Sequence, residues 1–105
     1  MAELPKVFQR FQREMPEIAM AYEKLGEAVH AAGPLDERTR SLVKLAISVG
    51  SLREGAVHSH TRKALAAGAN LEEIRHVAYL SLPTLGFPAM MAALTWVNDV
   101  LDRDV

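Results

Sequence analysis

The chain has 105 residues, half of them hydrophobic, and its 12 basic and 13 acidic side chains leave a formal net charge of −1. This balance argues against a nucleic-acid-binding protein, because such proteins concentrate Lys and Arg on one face. The chain has no cysteine, so it cannot form a disulfide, a thiolate metal site or a cysteine redox cycle. The length predicts a single domain over 1–105.

The sequence predicts a cytoplasmic protein that does not associate with a membrane. Charged residues interrupt the first 14 positions, where a signal peptide would need a continuous apolar stretch. No apolar run approaches the roughly 20 residues of a membrane-spanning helix. We therefore expect neither a membrane nor a nucleic acid among its partners.

Apolar side chains recur at helical spacing along most of the chain, and no strand-like alternation of useful length occurs. Pro16 suits the first turn of a second helix, and Asp36 is a plausible N-cap for a third. Asn70 and Glu73 have the capping-box spacing that would open a fifth. The last predicted helix, over 88–102, is apolar nearly all round, which predicts burial nearly all round. The fold class is therefore all-α, a bundle of about five or six helices.

The stretch 51–68 predicts the fourth helix and contains the histidine of greatest chemical interest. Ser51 followed by Glu54 is a capping-box spacing, and Gly68 is the residue expected just past a helix end. At about 100° per residue, His60 lies in the middle of a stripe of small apolar side chains. The other members of that stripe are Ala56, Val57, Ala64 and Ala67.

An imidazole on an apolar flank is more often a hydrogen-bonded core residue than a catalyst, so periodicity alone leaves both interpretations open for His60. Arg53 lies seven residues earlier on nearly the same flank, and burying an arginine is costly unless an anion pairs with it. An acidic substrate could supply that anion. The alternative is that Arg53 extends its guanidinium group to solvent.

The remaining polar candidates give weaker signals. His58 lies about 200° from His60 around the helix, so one metal ion cannot bind both, and we predict no metal and no cofactor. Glu54 and His58 are four residues apart, which is typical of a surface pair. Ser41 and Ser48 lie almost in line and could edge a pocket. Phe87, between helix breakers, is expected to pack inward, either as a loop anchor or as a pocket-lining residue.

Several short motifs, in order over 35–101, give the chain a family resemblance. They are RTRSL at 38–42, the helix histidine followed by ALAAGA at 64–69, LEEI at 71–74 and GFPA at 86–89. With them the chain resembles the carboxymuconolactone decarboxylase family. The resemblance implies the alkylhydroperoxidase D-like all-α fold, assembled as a homo-oligomeric ring that is commonly a trimer or a hexamer.

The family contains two chemistries, and the chain resembles one of them better. Aligning the helix histidine of the alkylhydroperoxidase D-like branch with His60 places that branch's two cysteines at Arg53 and Ala56, and its relay glutamate near Ser41. All three are missing here, so thiol-based peroxidase activity is disfavoured. The decarboxylase branch also lacks the cysteine pair and has the Arg-Glu and helix-histidine features. Its longer segment before RTRSL is reduced here to 31–35, which leaves open a different substrate.

The resemblance implies metal-free decarboxylation, or a related lyase or isomerase step, of a small carboxylated lactone or keto acid. His60 is the expected general acid or base, with Glu54 as the second catalytic candidate. The expected substrate-binding residues are Arg53, Arg40, Ser41, Ser48 and Phe87. A non-catalytic small-molecule-binding protein and an assembly protein of the same fold are the alternatives.

Overall fold

The structure, a computed structural model, describes residues 4–104 and confirms the all-α prediction. Seven α-helices and a closing 3₁₀ turn account for most of these residues, and none of them forms a strand. No helix in this part of the chain is long and apolar enough to cross a membrane. The elements are α1 (Lys6–Glu14), α2 (Pro16–Ala31), α3 (Glu37–Gly50), α4 (Glu54–Ala66), α5 (Leu71–Leu80), α6 (Leu82–Leu85), α7 (Phe87–Leu101) and the 3₁₀ turn Asp102–Asp104.

The chain divides into two compact units, one ending at Leu35 and the other beginning at Asp36. In the first unit α1 packs against α2, and Pro16 begins α2 as predicted. The missing N–H of a proline costs nothing at the first helical position, where no intrahelical acceptor exists. Much of the apolar surface of α2 is exposed in the single chain. The exposed side chains include Ile18, Met20, Tyr22, Leu25 and Val29.

In the second unit α3 packs against α4, and both α4 and α5 pack against α7. Each of these four helices contributes apolar side chains at helical spacing to one core, as the periodicity predicts. Burial of these side chains removes apolar surface from water and fixes where the polar faces of α3, α4 and α7 meet. The core consists of Leu45, Val49, Val57, Ala64, Ala69, Ile74, Ala78, Ala93, Val97 and Leu101.

Two of the predicted helix caps are confirmed. The Asp36 carboxylate accepts a hydrogen bond of 2.8 Å from the backbone N–H of Thr39 at the start of α3. At the start of α5, the Asn70 side chain accepts from the Glu73 N–H, while the Glu73 carboxylate accepts from the Asn70 N–H, at 2.8 and 2.9 Å. Each cap satisfies backbone donors that have no partner within the helix.

The start of the fourth helix differs from the prediction. Helix α4 begins at Glu54, and its N-cap, Arg53, makes no side-chain capping hydrogen bond. Ser51 instead ends α3, where its hydroxyl donates to the Ser48 carbonyl at 2.8 Å. The capping-box prediction was therefore wrong, because Ser51 already serves the preceding helix. Leu52 makes the turn between the two helices with φ of 53°, in the left-handed region.

The segment before the last helix also corrects the sequence-based expectations. Pro83 lies within the short helix α6, and Gly86, with φ of 103°, separates α6 from α7. Phe87 begins α7 and is 60% exposed, so it does not pack inward in the single chain. Met91 is exposed as well. Helix α7 therefore keeps one apolar side uncovered, and the expectation of burial nearly all round was wrong.

Candidate functional site

His60 lies half-buried on α4, the helix that contributes Val57 and Ala64 to the core. These residues precede and follow the histidine by three and four positions, so they share its flank and fix its helix against α3 and α7. The sequence-based prediction that 51–68 forms a helix with an apolar histidine-bearing flank is confirmed, with the later start. The imidazole is thus held at the border between the core and solvent.

The surroundings of His60 keep its imidazole neutral. Partial burial, followed by repulsion from the ammonium groups of Lys63 and Lys44, lowers the pKa of His60 to about 4. Burial disfavours the charged imidazolium, and each nearby positive charge disfavours it further. At pH 7 the ring is therefore a neutral donor and acceptor with two cationic neighbours.

Those two lysines come from two packed helices. Lys63 lies three residues after His60 on α4, and Lys44 lies on α3. Burial lowers the pKa of Lys63 as well, and repulsion from Lys44 and Arg62 adds to the effect. A carboxylate placed among these groups would offset their mutual repulsion. Neither lysine was predicted from the sequence, although Lys63 has the i, i+3 spacing from His60 that places it on the same flank of α4.

Ser41 and Ser48 lie on the same side of α3 as Lys44, three residues before and four after it. The Ser41 hydroxyl donates to the Glu37 carbonyl at 2.9 Å, and the Ser48 hydroxyl donates to the Lys44 carbonyl at 3.0 Å. Both hydroxyl protons are therefore used within α3. Ser41 is half-buried, and its oxygen keeps lone pairs for a ligand, whereas Ser48 is buried.

The remaining predicted binding residues lie at helix starts. Arg53 is the exposed N-cap of α4. Arg40 is half-buried in the first turn of α3, where its positive charge helps to lower the pKa of the Asp36 carboxyl, after the larger effect of the hydrogen bonds from Thr39. Phe87 is exposed at the start of α7. The cations that act on His60 are thus Lys44 and Lys63, and the predicted cation Arg53 is not among them.

A second polar cluster forms around Glu54, the other predicted catalytic residue. Glu54 and His58 lie one turn apart on α4, and Asp99 approaches them from α7. The Nε2 atom of His58 is 3.0 Å from Oδ2 of Asp99. One possible ligand atom of each of the three residues lies within 4.8 Å of the others. The pair of Glu54 and His58 was predicted, but Asp99 is 41 residues from His58 and no local pattern connects the two.

Known proteins similar to this chain include one protein family and two uncharacterized proteins. The profile of the carboxymuconolactone decarboxylase family matches residues 16–99. An uncharacterized protein of Methanocaldococcus jannaschii is 30% identical over 89 residues, which are 85% of this chain and 83% of that protein. An uncharacterized protein of Haemophilus influenzae is 32% identical over 59 residues, which are 56% of this chain and 52% of that protein.

A solved structure has the same fold. It is a carboxymuconolactone decarboxylase family protein from Legionella pneumophila in its apo form, with a TM-score of 0.75 and 24% sequence identity. The match covers 90% of this chain and 85% of that one.

Proposed function

Because the chain belongs to the carboxymuconolactone decarboxylase family, we propose that it binds a small carboxylated lactone or keto acid beside His60 and releases its carboxyl group as CO₂. The observation that supports this most directly is the half-buried imidazole of His60 with the ammonium groups of Lys44 and Lys63 nearby. This arrangement suits an anion, because a negative charge lowers the energy of both lysines at once. Helix α4 presents the imidazole, and α3 presents the second cation.

The proposed reaction breaks the bond between the carboxyl carbon and the neighbouring carbon of the substrate. CO₂ leaves, and the bonding electron pair moves onto the lactone or ketone carbonyl to give an enolate. The enolate then takes a proton at carbon, so the step balances without an oxidant or a reductant. Lys44 and Lys63 stabilise the negative charge on the enolate oxygen, which is the charge that develops in the transition state.

His60 delivers the proton in this proposal. A bound carboxylate opposes the repulsion from Lys44 and Lys63, so substrate binding raises the pKa of His60 from about 4 toward the working pH. The imidazole can then accept a proton from solvent, while Lys63 stays protonated beside the enolate. It passes that proton to the enolate carbon as a general acid.

Thiol chemistry does not compete with this proposal. A peroxidase or disulfide reductase of the alkylhydroperoxidase D-like kind uses a thiolate nucleophile, and this chain contains no cysteine. The positions aligned with the cysteine pair hold Arg53, the N-cap of α4, and Ala56.

Assembly into a homo-oligomer, a trimer or a hexamer, is the second part of the proposal. It is supported by large apolar side chains that the single chain leaves exposed on α2, α3, α5 and α7. Exposed apolar surface of this extent is typical of a subunit interface. The site beside His60 lies on α4 at its contact with α3, so assembly is not required to bring His60 and Lys44 together.

A turnover assay tests the catalytic proposal. CO₂ release from a panel of carboxylated lactones and β-keto acids is measured for the parent chain and for His60→Asn, Lys44→Gln and Lys63→Gln. We expect His60→Asn to lower kcat about 100-fold or more, since general acid catalysis contributes on that order. The matched control is His76→Asn, which changes an exposed histidine on α5 and should leave turnover unchanged.

The binding of the same compounds separates the alternatives. The chemical shift of the His60 imidazole is followed by NMR during each titration. Equal rates for the parent and His60→Asn would contradict the role given to His60. Binding that perturbs His60 without CO₂ release from any compound would instead support the non-catalytic binding protein.

A further inference from the structure

Glu54, His58 and Asp99 form a polar cluster that the proposed reaction does not use. Glu54 and His58 project from successive turns of α4. His58 lies about 200° around the helix from His60, so this cluster is on a different side of α4. Asp99 comes from α7, which packs against α4 in the core. We propose that these three side chains bind a divalent transition-metal ion, of which Zn²⁺ fits best.

The spacing of the donor atoms suits such an ion. Zn²⁺ binds imidazole nitrogen and carboxylate oxygen at roughly 2.0–2.2 Å, so neighbouring ligand atoms in a tetrahedral shell lie about 3.3–3.6 Å apart. Nε2 of His58 and Oδ2 of Asp99 are 3.0 Å apart, so these two side chains would separate slightly to hold the ion. The three donor atoms all lie within 4.8 Å of one another. Glu54 is exposed and has three rotatable side-chain bonds, so its carboxylate is free to turn toward the other two ligands.

The chemistry of the donors selects the class of metal. Mg²⁺ and Ca²⁺ prefer shells made of oxygen alone, whereas an imidazole nitrogen favours Zn²⁺ and its first-row neighbours. The three protein ligands leave at least one coordination position for water or a small ligand. The two carboxylates carry two negative charges within a few ångströms, and a divalent cation would offset their repulsion.

A simple ion pair is the competing interpretation. His58 and Asp99 alone could hold α4 to α7, because their side chains are 22% and 42% exposed and lie within hydrogen-bonding distance. That pair needs no third partner, whereas Glu54 adds a second acidic group beside it. The metal proposal explains why all three groups converge. It departs from the sequence-based expectation of no metal, which rested on the two histidines of α4 facing different directions.

Zinc titration of the full, untagged chain tests the proposal after the protein has been treated with EDTA. Isothermal titration calorimetry with ZnCl₂ should show one ion per chain. His58→Ala and Asp99→Asn should each weaken that binding at least about ten-fold, since each removes a direct ligand. Glu54→Gln should weaken it by less, because an amide oxygen can still coordinate. His76→Ala, on α5, is the matched control and should bind as the parent does.

Cobalt gives an independent readout. Co²⁺ bound to the parent should show visible absorption whose intensity reports the coordination geometry, and His58→Ala should abolish it. Circular dichroism confirms that each variant is folded. If the parent binds no Zn²⁺, or if His58→Ala binds as tightly as the parent, the proposal is wrong and the ion pair is the correct interpretation. Neither readout depends on the proposed decarboxylation.

Discussion

At His60, burial and two neighbouring ammonium groups act on the imidazole in the same direction. Its pKa is about 4 in the folded chain, below the ordinary value of 6.5. Between pH 6.5 and 4 the unfolded chain therefore binds a proton at this position that the folded chain does not bind. The contribution of His60 to the free energy of unfolding is therefore largest above pH 6.5, decreases as the pH falls, and changes no further below pH 4.

Replacing this histidine should make the free energy of unfolding depend less on pH below pH 6.5. As the pH is lowered from 6.5 to 4, the free energy of unfolding should fall in both proteins. We expect the fall to be about 1 to 2 kcal/mol smaller for His60→Gln than for the parent. This range is discounted from the full pKa shift because the ring is half-exposed to solvent. Urea unfolding at a series of pH values measures it, with EDTA present so that metal binding does not contribute.

The control for this experiment is His76→Gln, which removes an exposed imidazole from α5. Its profile should follow that of the parent. If His60→Gln and the parent lose the same free energy over this range, the imidazolium form of His60 is not destabilised by burial and by Lys44 and Lys63.

The sequence located His60 but not its neighbours, for a physical reason. The position of a residue around a helix follows from 3.6 residues per turn. It was therefore predictable that His60 shares a flank with the buried Val57 and Ala64. The proximity of Lys44 depends on how α3 packs against α4, which no local spacing encodes. The same limit applies to Asp99, which only the packing of α7 brings to His58.

At the scale of the helix, the capping residues Asp36 and Asn70 were predictable because a cap involves only residues within one turn. Ser51 shows where such local reasoning fails. It lies between two helices, and its hydroxyl could serve either the end of α3 or the start of α4. In the structure it bonds to the Ser48 carbonyl, so the following helix begins later, at Glu54.

The capping box of α5 gives a direct stability prediction. Asn70→Ala removes the acceptor of the Glu73 N–H and should lower the free energy of unfolding by about 1 kcal/mol. Chemical denaturation measures the change. Thr95→Ala is the control, because this exposed hydroxyl donates only to Met91 within α7 and its loss should cost much less. Equal losses in both variants would show that the cap does not stabilise α5.

At the scale of the molecule, the distribution of apolar side chains is uneven. Leu45 and Ile74 are fully buried in the second unit, whereas Ile47, on the same helix as Leu45, is 66% exposed. This surplus agrees with the composition, since half of the residues are hydrophobic in a chain of modest length. The sequence could not show which helix faces are uncovered, because that follows from how α3 to α7 pack.

The proposed assembly should depend on these uncovered faces. We expect sedimentation equilibrium to find a trimer or a hexamer for the parent. Ile47→Glu, which places a charge on an exposed apolar position, should shift the equilibrium toward smaller species at the same concentration. Thr84→Glu adds the same charge at an exposed polar position and serves as the control. A parent chain that sediments as a monomer at high concentration would contradict the assembly proposal.

The start of α4 has a consequence for how this chain differs from thiol-bearing members of its family. Arg53 is the N-cap and makes no side-chain capping hydrogen bond, and Ala56 is the third residue of the helix. A cysteine at the N-cap would meet unpartnered backbone N–H groups, which stabilise a thiolate and lower the pKa of a thiol. The backbone at the start of α4 therefore keeps one element of such a site, whereas the two thiols and the relay glutamate aligned near Ser41 are absent.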